Sequence, residues 1–393
     1  MEKTPLSMRT HVSVFGDTNA GKSALFNKLI GQDMVIVSDV RGTTTDPVTK
    51  AMELIPYGPI ALTDTAGLGD TTEMGAERIK KTEKMLERTD FAIYAADGAQ
   101  FDEAAYERMK GMFEKRGIGH VLVFTKSDLG TPRAAEKYPE AVSVSVYDDE
   151  SIEALRALLS ERLGELSEKE QTMIGGLLPS GSTVVLVIPI DSEAPKGRLI
   201  LPQVQFIRDC LDHGIKAVCV RDTELAEALK ELPRVDLVVT DSQAFAFVAK
   251  TVPEDIKLTS FSMMMAGMKG DLAEFIRGAE AAERLKDGSR ILMAEACTHN
   301  VSHDDIGRKK IPALLRKRTG KKLEFDYCVG YDFPADLEKY DMVIHCGGCM
   351  INSRAMRNRT AACLEKGVPI TNYGVILAYV NGITERSKAV FGL

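Results

Sequence analysis

Residues 16–23 read "GDTNAGKS" and fit the pattern G-x-x-x-x-G-K-[ST], which is typical of a loop that binds nucleotide phosphates. The apolar run at 11–15 predicts a strand before this loop, and "SALFNKLIG" at 23–31 predicts a helix after it. Glycine lets such a loop curl until its backbone N–H groups face phosphate oxygens. We expect Lys22 to reach the β- and γ-phosphates and Ser23 to hold Mg²⁺.

Four further segments follow in the order expected of a GTP-binding domain: "RGTTTDP" at 41–47, "DTAG" at 64–67, "FTKSD" at 124–128 and "VSV" at 144–146. Thr44 would sense Mg²⁺ and the γ-phosphate, and Asp64 would stabilise the ligands of Mg²⁺ without binding the ion directly. Asp128 would accept from N1 and N2 of guanine, which adenine cannot donate. The predicted catalytic residues are Lys22, Thr44, Asp64 and Gly67. The predicted nucleotide-binding residues are Gly16, Asn19, Gly21, Lys22, Ser23, Thr125, Lys126, Asp128 and Ser145.

These motifs resemble the TrmE–Era group of GTPases, and the resemblance covers about residues 1–168. It implies that Asn19 helps to hold a potassium ion, in place of the charge that an arginine finger supplies elsewhere; otherwise Asn19 is a plain turn residue. Two residues depart from the pattern. Thr125 replaces the usual asparagine, and Leu68 stands where Ras-like enzymes have a glutamine that orients water, so we expect slow hydrolysis. Glu73 either orients this water or is a solvated switch residue.

Alternating strand and helix patterns continue along the chain and predict parallel α/β sheets. The strand runs lie at 60–63, 91–95, 120–125, 183–190, 216–221, 235–241, 257–262, 289–296, 323–329, 341–346 and 368–374. The sequence therefore predicts an α/β protein in which a P-loop GTPase domain precedes two smaller α/β domains with largely parallel sheets. The expected boundaries are 1–168, a linker at 169–182 that is rich in Gly and Pro, a middle domain at 183–265 and a last domain at 266–393. The methionines within 263–268 indicate either adaptable core packing or a partner surface.

Composition limits the classes of partner. A chain of 393 residues exceeds the ~250–300 residues of a single core, so several domains are expected. The formal net charge of −7 argues against broad contact with nucleic acid. No run reaches the ~18 apolar residues of a membrane span, and the first ten residues lack the apolar core of a signal peptide. We therefore expect a cytoplasmic protein with neither a nucleic-acid partner nor a membrane.

Five soft metal ligands cluster near the C-terminus: Cys297 and His299 in "ACTHN", and His345, Cys346 and Cys349 in "HCGGC". Both segments follow predicted strands, and the carboxyl ends of parallel strands meet at one edge of a sheet. Three thiolates with a histidine fit a closed zinc site, or a [4Fe–4S] cluster whose fourth iron keeps an exchangeable ligand. The spacing leaves both open. The other cysteines lie in apolar patterns and are expected in the core, namely Cys210, Cys219, Cys328 and Cys363.

The whole chain resembles the [FeFe]-hydrogenase maturation GTPases of the HydF family, because a TrmE–Era-type GTPase precedes C-x-H, 45 intervening residues and H-C-x-x-C. The resemblance implies that the middle domain forms a homodimer and that Cys297, Cys346 and Cys349 hold a [4Fe–4S] cluster. It implies a scaffold or carrier that receives the diiron precursor of the H-cluster, with help from two radical-SAM maturases, and delivers it to apo-[FeFe]-hydrogenase. His299 and His345 would act as fourth ligand, as a hydrogen-bond donor behind the ligands, or as precursor anchor.

Two other functions fit parts of the sequence. A zinc-containing GTPase of the TrmE–Era type that acts in tRNA modification or ribosome assembly predicts zinc, RNA affinity and a basic face. A metabolic GTPase with a catalytic iron–sulfur centre requires a substrate pocket, for which the sequence offers no candidate residues.

Overall fold

The computed structural model describes residues 4–17, 19–31, 47–65, 75–130, 133–166, 172–190, 199–296 and 306–393. The chain divides into two compact units, Met1–Glu170 and Gln171–Leu393. Several predicted residues lie outside the described ranges, namely Thr44, Gly67, Leu68, Glu73, Cys297 and His299. Within the described ranges, no helix has the length and apolar character needed to cross a membrane.

The strands in the described ranges are β1 (Thr10–Gly16), β2 (Val48–Leu54), β3 (Gly58–Asp64), β4 (Phe91–Asp97), β5 (Gly119–Thr125), β6 (Val142–Ser143), β7 (Thr183–Val187), β8 (Lys216–Val220), β9 (Leu237–Thr240), β10 (Lys257–Ser260), β11 (Arg290–Glu295), β12 (Glu324–Val329), β13 (Met342–His345) and β14 (Ile370–Asn372). The α-helices are α1 (Lys22–Ile30), α2 (Gly75–Arg88), α3 (Glu103–Lys115), α4 (Asp149–Leu166), α5 (Leu201–Asp212), α6 (Leu225–Glu231), α7 (Phe245–Thr251), α8 (Phe261–Lys269), α9 (Leu272–Glu280), α10 (Ile311–Thr319), α11 (Ser353–Glu365), α12 (Tyr373–Val380) and α13 (Thr384–Lys388).

The first unit contains a six-stranded sheet in the order β2-β3-β1-β4-β5-β6. All pairs are parallel except β2 with β3, which form an antiparallel hairpin at one edge. Val12 and Val14 of the central strand β1 are fully buried and belong to one core with Leu25 of α1 and Leu155 of α4. This arrangement confirms the predicted P-loop α/β fold and its strands, whereas β2 was not predicted.

The second unit contains two four-stranded sheets, in the orders β10-β9-β7-β8 and β12-β11-β13-β14. Every strand pair in both sheets is parallel, as predicted. The two sheets share one continuous apolar core, which includes Val185 of β7, Met263 of α8, Phe275 of α9 and Val343 of β13. The helices between the sheets therefore join the middle and last parts of the chain.

Helix α8 carries the methionine cluster into the protein interior. Met263, Met264 and Met265 are at most 1% exposed, which confirms the interpretation as core packing. Part of the segment predicted as a linker is also packed. Met173 and Ile174 are buried, and both of their backbone N–H groups donate to Asp209 of α5 at 2.8 Å. From residue 172 onward, this segment is fixed to the second unit.

The four cysteines outside the clustered motifs differ in burial according to the element on which they lie. Cys210 and Cys363 lie on helices and are fully buried, as predicted. The core prediction is wrong for Cys219, which is exposed, and for Cys328, which is half-buried. Both lie on edge strands, β8 and β12, where only one side of the strand is paired. Edge position depends on the order of strands in the sheet, and an apolar run of residues does not reveal that order.

Candidate nucleotide and metal sites

The P-loop follows β1 and ends where α1 begins. Gly16 has φ +141°, and a Cβ at this position would lie 2.0 Å from the carbonyl oxygen of Ala95 on β4. Asn19 and Gly21 have left-handed φ angles of 62° and 73°. Only glycine fits the first position without displacing the neighbouring strand, and the left-handed residues turn the loop toward the helix N-terminus.

Lys22 lies in the interior of this loop. Its ammonium group donates to the carbonyl oxygens of Gly16 at 3.0 Å and Asp17 at 2.5 Å. Ser23, in contrast, is exposed in the first turn of α1, where its hydroxyl is accessible to a metal ion. These positions suit the roles predicted for both residues, since the ammonium group of Lys22 lies against the loop that would bind the phosphates.

Asp64 ends β3 beside the P-loop. Its Cα pairs with that of Val14 in the parallel register, two residues before Gly16, and its side chain is buried. The next residue, Thr65, donates from Oγ1 to the carbonyl oxygen of Val14 at 2.5 Å. The predicted Mg²⁺-supporting acid and the phosphate loop therefore meet at one edge of the sheet.

Thr125 ties the predicted guanine-binding loop to the P-loop. Its Oγ1 is 2.9 Å from the carbonyl oxygen of Ala20 and 3.1 Å from that of Ala96, so its single hydroxyl proton serves two acceptors. Ser145 donates from Oγ to Oδ1 of Asp128 at 2.6 Å, which orients the predicted guanine-reading carboxylate. The threonine therefore braces the P-loop without the asparagine that is usual here.

Asp97 is a site residue that the sequence analysis missed. It ends β4, and its Oδ2 accepts from Nζ of Lys126 at 2.7 Å, while Lys126 has a left-handed φ of 59°. This hydrogen bond holds the pKa of Asp97 below its usual range. The sequence signal for Asp97 was its acidic side chain at the carboxyl end of β4, the neighbour of β5.

The cysteine motif lies at the carboxyl end of β13. Strands β11 and β13 are parallel neighbours, with Ala294 opposite His345. The sulfur of Cys346 accepts from the backbone N–H of Ala296 at 3.0 Å and from that of Gly348 at 3.5 Å. Ala296 directly precedes Cys297 in the sequence, so the chain after β11 reaches the sulfur of Cys346 one residue before the second cysteine segment, which lies outside the described ranges.

The cysteine loop is defined here as residues 346–351, and a buried lysine supports it. Lys269, the last residue of α8, is 1% exposed and donates to the carbonyl oxygens of Gly348 and Ile351, both at 2.9 Å. Burial lowers the pKa of Lys269 to about 8. Burial also raises the pKa of the Cys346 thiol, against the two N–H donors that lower it, and a bound metal would favour the thiolate.

His345 is fully buried with both ring nitrogens engaged. Nδ1 lies 2.7 Å from the carbonyl oxygen of Cys346, and Nε2 lies 2.7 Å from Nη1 of Arg359. Burial lowers its pKa to about 3, so the ring is neutral. Of the predicted roles for this histidine, the arrangement suits support of the cysteine loop rather than metal ligation.

The residues in the described ranges do not by themselves form a group of three or more His, Cys, Asp or Glu side chains arranged for a metal ion. Cys297 and His299 are outside those ranges. The donor set of Cys346 and Cys349 nevertheless fits a thiolate-bound metal group, because N–H donors aimed at sulfur stabilise a thiolate ligand.

Family models match three consecutive parts of the chain. A 50S ribosome-binding GTPase model matches residues 11–126, a hydrogen maturase F dimerization domain matches 173–270, and a hydrogen maturase F tetramerization domain matches 273–390. This chain belongs to the HydF family. The HydF domains confirm the resemblance predicted from the cysteine motif, and they indicate that HydF chains associate with one another. The N-terminal unit is a GTPase domain, which takes GTP and Mg²⁺.

The curated relatives that this HydF chain resembles include GTPases of two kinds. GTPase Der of Kosmotoga olearia is 37% identical over 141 residues, which are 35% of this chain and 32% of that protein. The tRNA modification GTPase MnmE of Rhodospirillum rubrum is 35% identical over 164 residues, 41% of this chain and 35% of that protein. The chain thus spans about a third of the length of these relatives. The G domain of the T. maritima FeoB iron transporter aligns with 39% of this chain and 99% of its own, at 22% identity and a TM-score of 0.30.

Proposed function

We propose that this HydF-type GTPase binds a [4Fe–4S] cluster, receives the diiron precursor of the hydrogenase H-cluster as cargo, and transfers it to apo-[FeFe]-hydrogenase. The observation that carries the proposal is the sulfur of Cys346, which accepts two backbone N–H donors, one of them from the residue before Cys297. The chain that ends β11 directly before Cys297 contacts the sulfur of Cys346, which supports a shared site for the two cysteine segments.

Cys297, Cys346 and Cys349 would hold the cluster in this proposal. A [4Fe–4S] cluster with three thiolate ligands supplies one iron that can exchange its remaining ligand. The chain contributes half-buried cysteines, N–H donors toward the sulfur of Cys346 and a loop whose carbonyls are bound by Lys269. His345 would stay neutral behind the loop, and His299 remains the candidate for the fourth ligand or for contact with the cargo. A carrier must release its cargo, so an incompletely thiolate-bound cluster suits this role.

The GTPase domain would time the binding and release of partners. Lys22, Ser23 and Asp64 would bind the phosphates and Mg²⁺, and Asn19 would hold K⁺. Thr44 and Gly67 belong to the switch segments, which the γ-phosphate orders in GTPases and hydrolysis releases. We propose slow GTP hydrolysis that controls contact with hydrogenase and the two radical-SAM maturases, in a cytoplasmic protein with no nucleic-acid partner.

The dimer would form through the middle domain, proposed to span 183–265 between the linker and the cluster domain of 266–393. Strand β8 is the outer strand of its sheet, and Val218 and Val220 are half-buried while Cys219 is exposed. An apolar, unpaired strand edge favours pairing with another chain. A second copy of this chain is the occupant that the HydF dimerization domain supports.

The test is the iron and acid-labile sulfide content of anaerobically reconstituted protein, with EPR after dithionite reduction. We expect about four iron and four sulfide per chain and a reduced-cluster signal. C346S should lose them, whereas C219S should not, because Cys219 is exposed on a strand outside the cysteine motif. One zinc per chain without sulfide would refute the proposal and favour the zinc-containing GTPase.

A further inference from the structure

Lys269 is a buried cation that contacts the cysteine loop from a distant part of the sequence. It lies in the segment matched by the dimerization domain, residues 173–270, whereas its acceptors Gly348 and Ile351 lie in the segment matched by the tetramerization domain. The contacts span 79 and 82 residues of sequence. The lysine is not part of the cysteine motif.

The surroundings of this ammonium do not neutralise its charge. Both acceptors are backbone carbonyls, and within the described ranges no carboxylate lies within ion-pair distance of Nζ. A buried ammonium is costly unless an anion accompanies it. The groups that act electrostatically to favour its charged form are Cys349 and Cys346. Because both acceptors of Lys269 lie in the cysteine loop, its anionic partner is expected at the cysteines of that loop.

A thiolate-bound iron–sulfur group provides such an anion. Three thiolates carry more negative charge than the oxidised cluster core offsets, and reduction adds one more negative charge. Net charge and local hydrogen bonds are among the factors that set the reduction potential of such clusters. A fixed cation beside the ligands stabilises the reduced form more than the oxidised form, because the reduced form is more negative.

We propose that Lys269 is a positioning residue of the cluster site. Its two hydrogen bonds fix the carbonyls of Gly348 and Ile351 and so hold Cys346 and Cys349 at the spacing that binds metal. Its charge raises the reduction potential of the bound cluster. The effect on the reduction potential depends on the cluster binding proposed above. The positioning of the cysteine loop can be tested without a cluster.

The first experiment measures the midpoint potential of reconstituted wild type, K269M, K269R and K250M by EPR-monitored titration. Lys250 is an exposed lysine near the end of α7 and serves as the matched control. We expect the redox equilibrium of K269M to shift at least tenfold toward the oxidised form, which is about 59 mV for a one-electron couple. K269R keeps the charge and should stay near the wild-type potential, as should K250M. A K269M potential equal to that of wild type would overturn the proposed role of the charge.

The second experiment measures amide hydrogen exchange of residues 346–351 in cluster-free protein. K269M should exchange faster than wild type in this segment, and K250M should not. Unchanged exchange in K269M would overturn the positioning role. If K269M fails to fold by circular dichroism, K269R decides the role of the charge, since a potential well below that of wild type would contradict it. A wild-type chain that binds no cluster would refute the proposed function, while the exchange result would still decide the positioning role.

Discussion

Arg359 donates from Nη1 to Nε2 of His345 across 2.7 Å, and this bond fixes the tautomer of the histidine. A guanidinium group has no acceptor, so Nε2 accepts and the ring proton lies on Nδ1. Nδ1 in turn donates to the carbonyl oxygen of Cys346 at 2.7 Å. Neither ring nitrogen keeps a lone pair free for a metal. The histidine of the H-C-x-x-C motif therefore holds the backbone of its neighbouring cysteine.

His345→Leu should lower stability but leave the iron content unchanged. The substitution removes a buried acceptor from Arg359, and such a loss costs about 1–3 kcal/mol. His345→Gln keeps a donor and an acceptor and should recover part of the loss. Thermal unfolding measures stability, and iron per folded chain measures ligation. A histidine ligand would be indicated instead if both variants lost iron as completely as C346S while remaining folded.

Thr125→Val should weaken nucleotide binding by about tenfold, which corresponds to about 1.4 kcal/mol, because the carbonyls of Ala20 and Ala96 lose their shared donor. Thr125→Ser keeps the hydroxyl and is the matched control, with affinity near that of wild type. Titration with a fluorescent GDP analogue measures the dissociation constant. Equal affinity of the valine and serine variants would show that the hydroxyl does not brace the P-loop.

Gly16→Ala should abolish nucleotide binding. The new Cβ would lie 2.0 Å from the carbonyl oxygen of Ala95, and this backbone atom cannot move without shifting β4. Gly58 provides the control, since it has a similar φ of +127° and a Cβ added there would meet no atom within 4 Å. Gly58→Ala should cost only the backbone strain, about 1–3 kcal/mol of stability, and should keep GTP affinity. If Gly58→Ala abolished binding as well, strain rather than the clash would explain the loss.

The position of Cys346 and Cys349 after β13 could be predicted from the sequence because the signal is local. An apolar run followed by cysteine marks a strand end, and parallel strand ends meet at one sheet edge. Lys269 had no such signal, since it is separated from Gly348 by 79 residues and lies at the end of a methionine-rich helix. Arg359 of α11 likewise meets His345 of β13 only in the folded chain, 14 residues away in sequence. Contacts of this kind depend on tertiary packing, which the periodicity of a segment does not encode.

In the nucleotide site, too, residues in local motifs could be predicted, whereas residues brought together by tertiary packing could not. The motifs give Lys22, Asp64 and Asp128 by residue type and order, and their roles at the nucleotide stay predictions. Asp97 was missed, although it pairs with Lys126, because the two residues meet only when β4 and β5 are neighbours in the sheet. The exposure of Cys219 was missed because strand order decides which runs are edges, and β8 ends its sheet.

The two glycines between Cys346 and Cys349 should differ in their tolerance of a side chain. Gly348 has a left-handed φ of +67°, and a Cβ there would lie 2.5 Å from Cε of Met356, whereas a Cβ at Gly347 would meet nothing within 4 Å. The left-handed conformation costs roughly 1–2 kcal/mol for an alanine. Because the Met356 side chain can shift, backbone strain should dominate. We expect Gly348→Ala to lose iron to a chelator several times faster than wild type, and Gly347→Ala to lose it at the wild-type rate. Equal rates for the two variants would show that the left-handed turn at Gly348 does not help to retain the cluster.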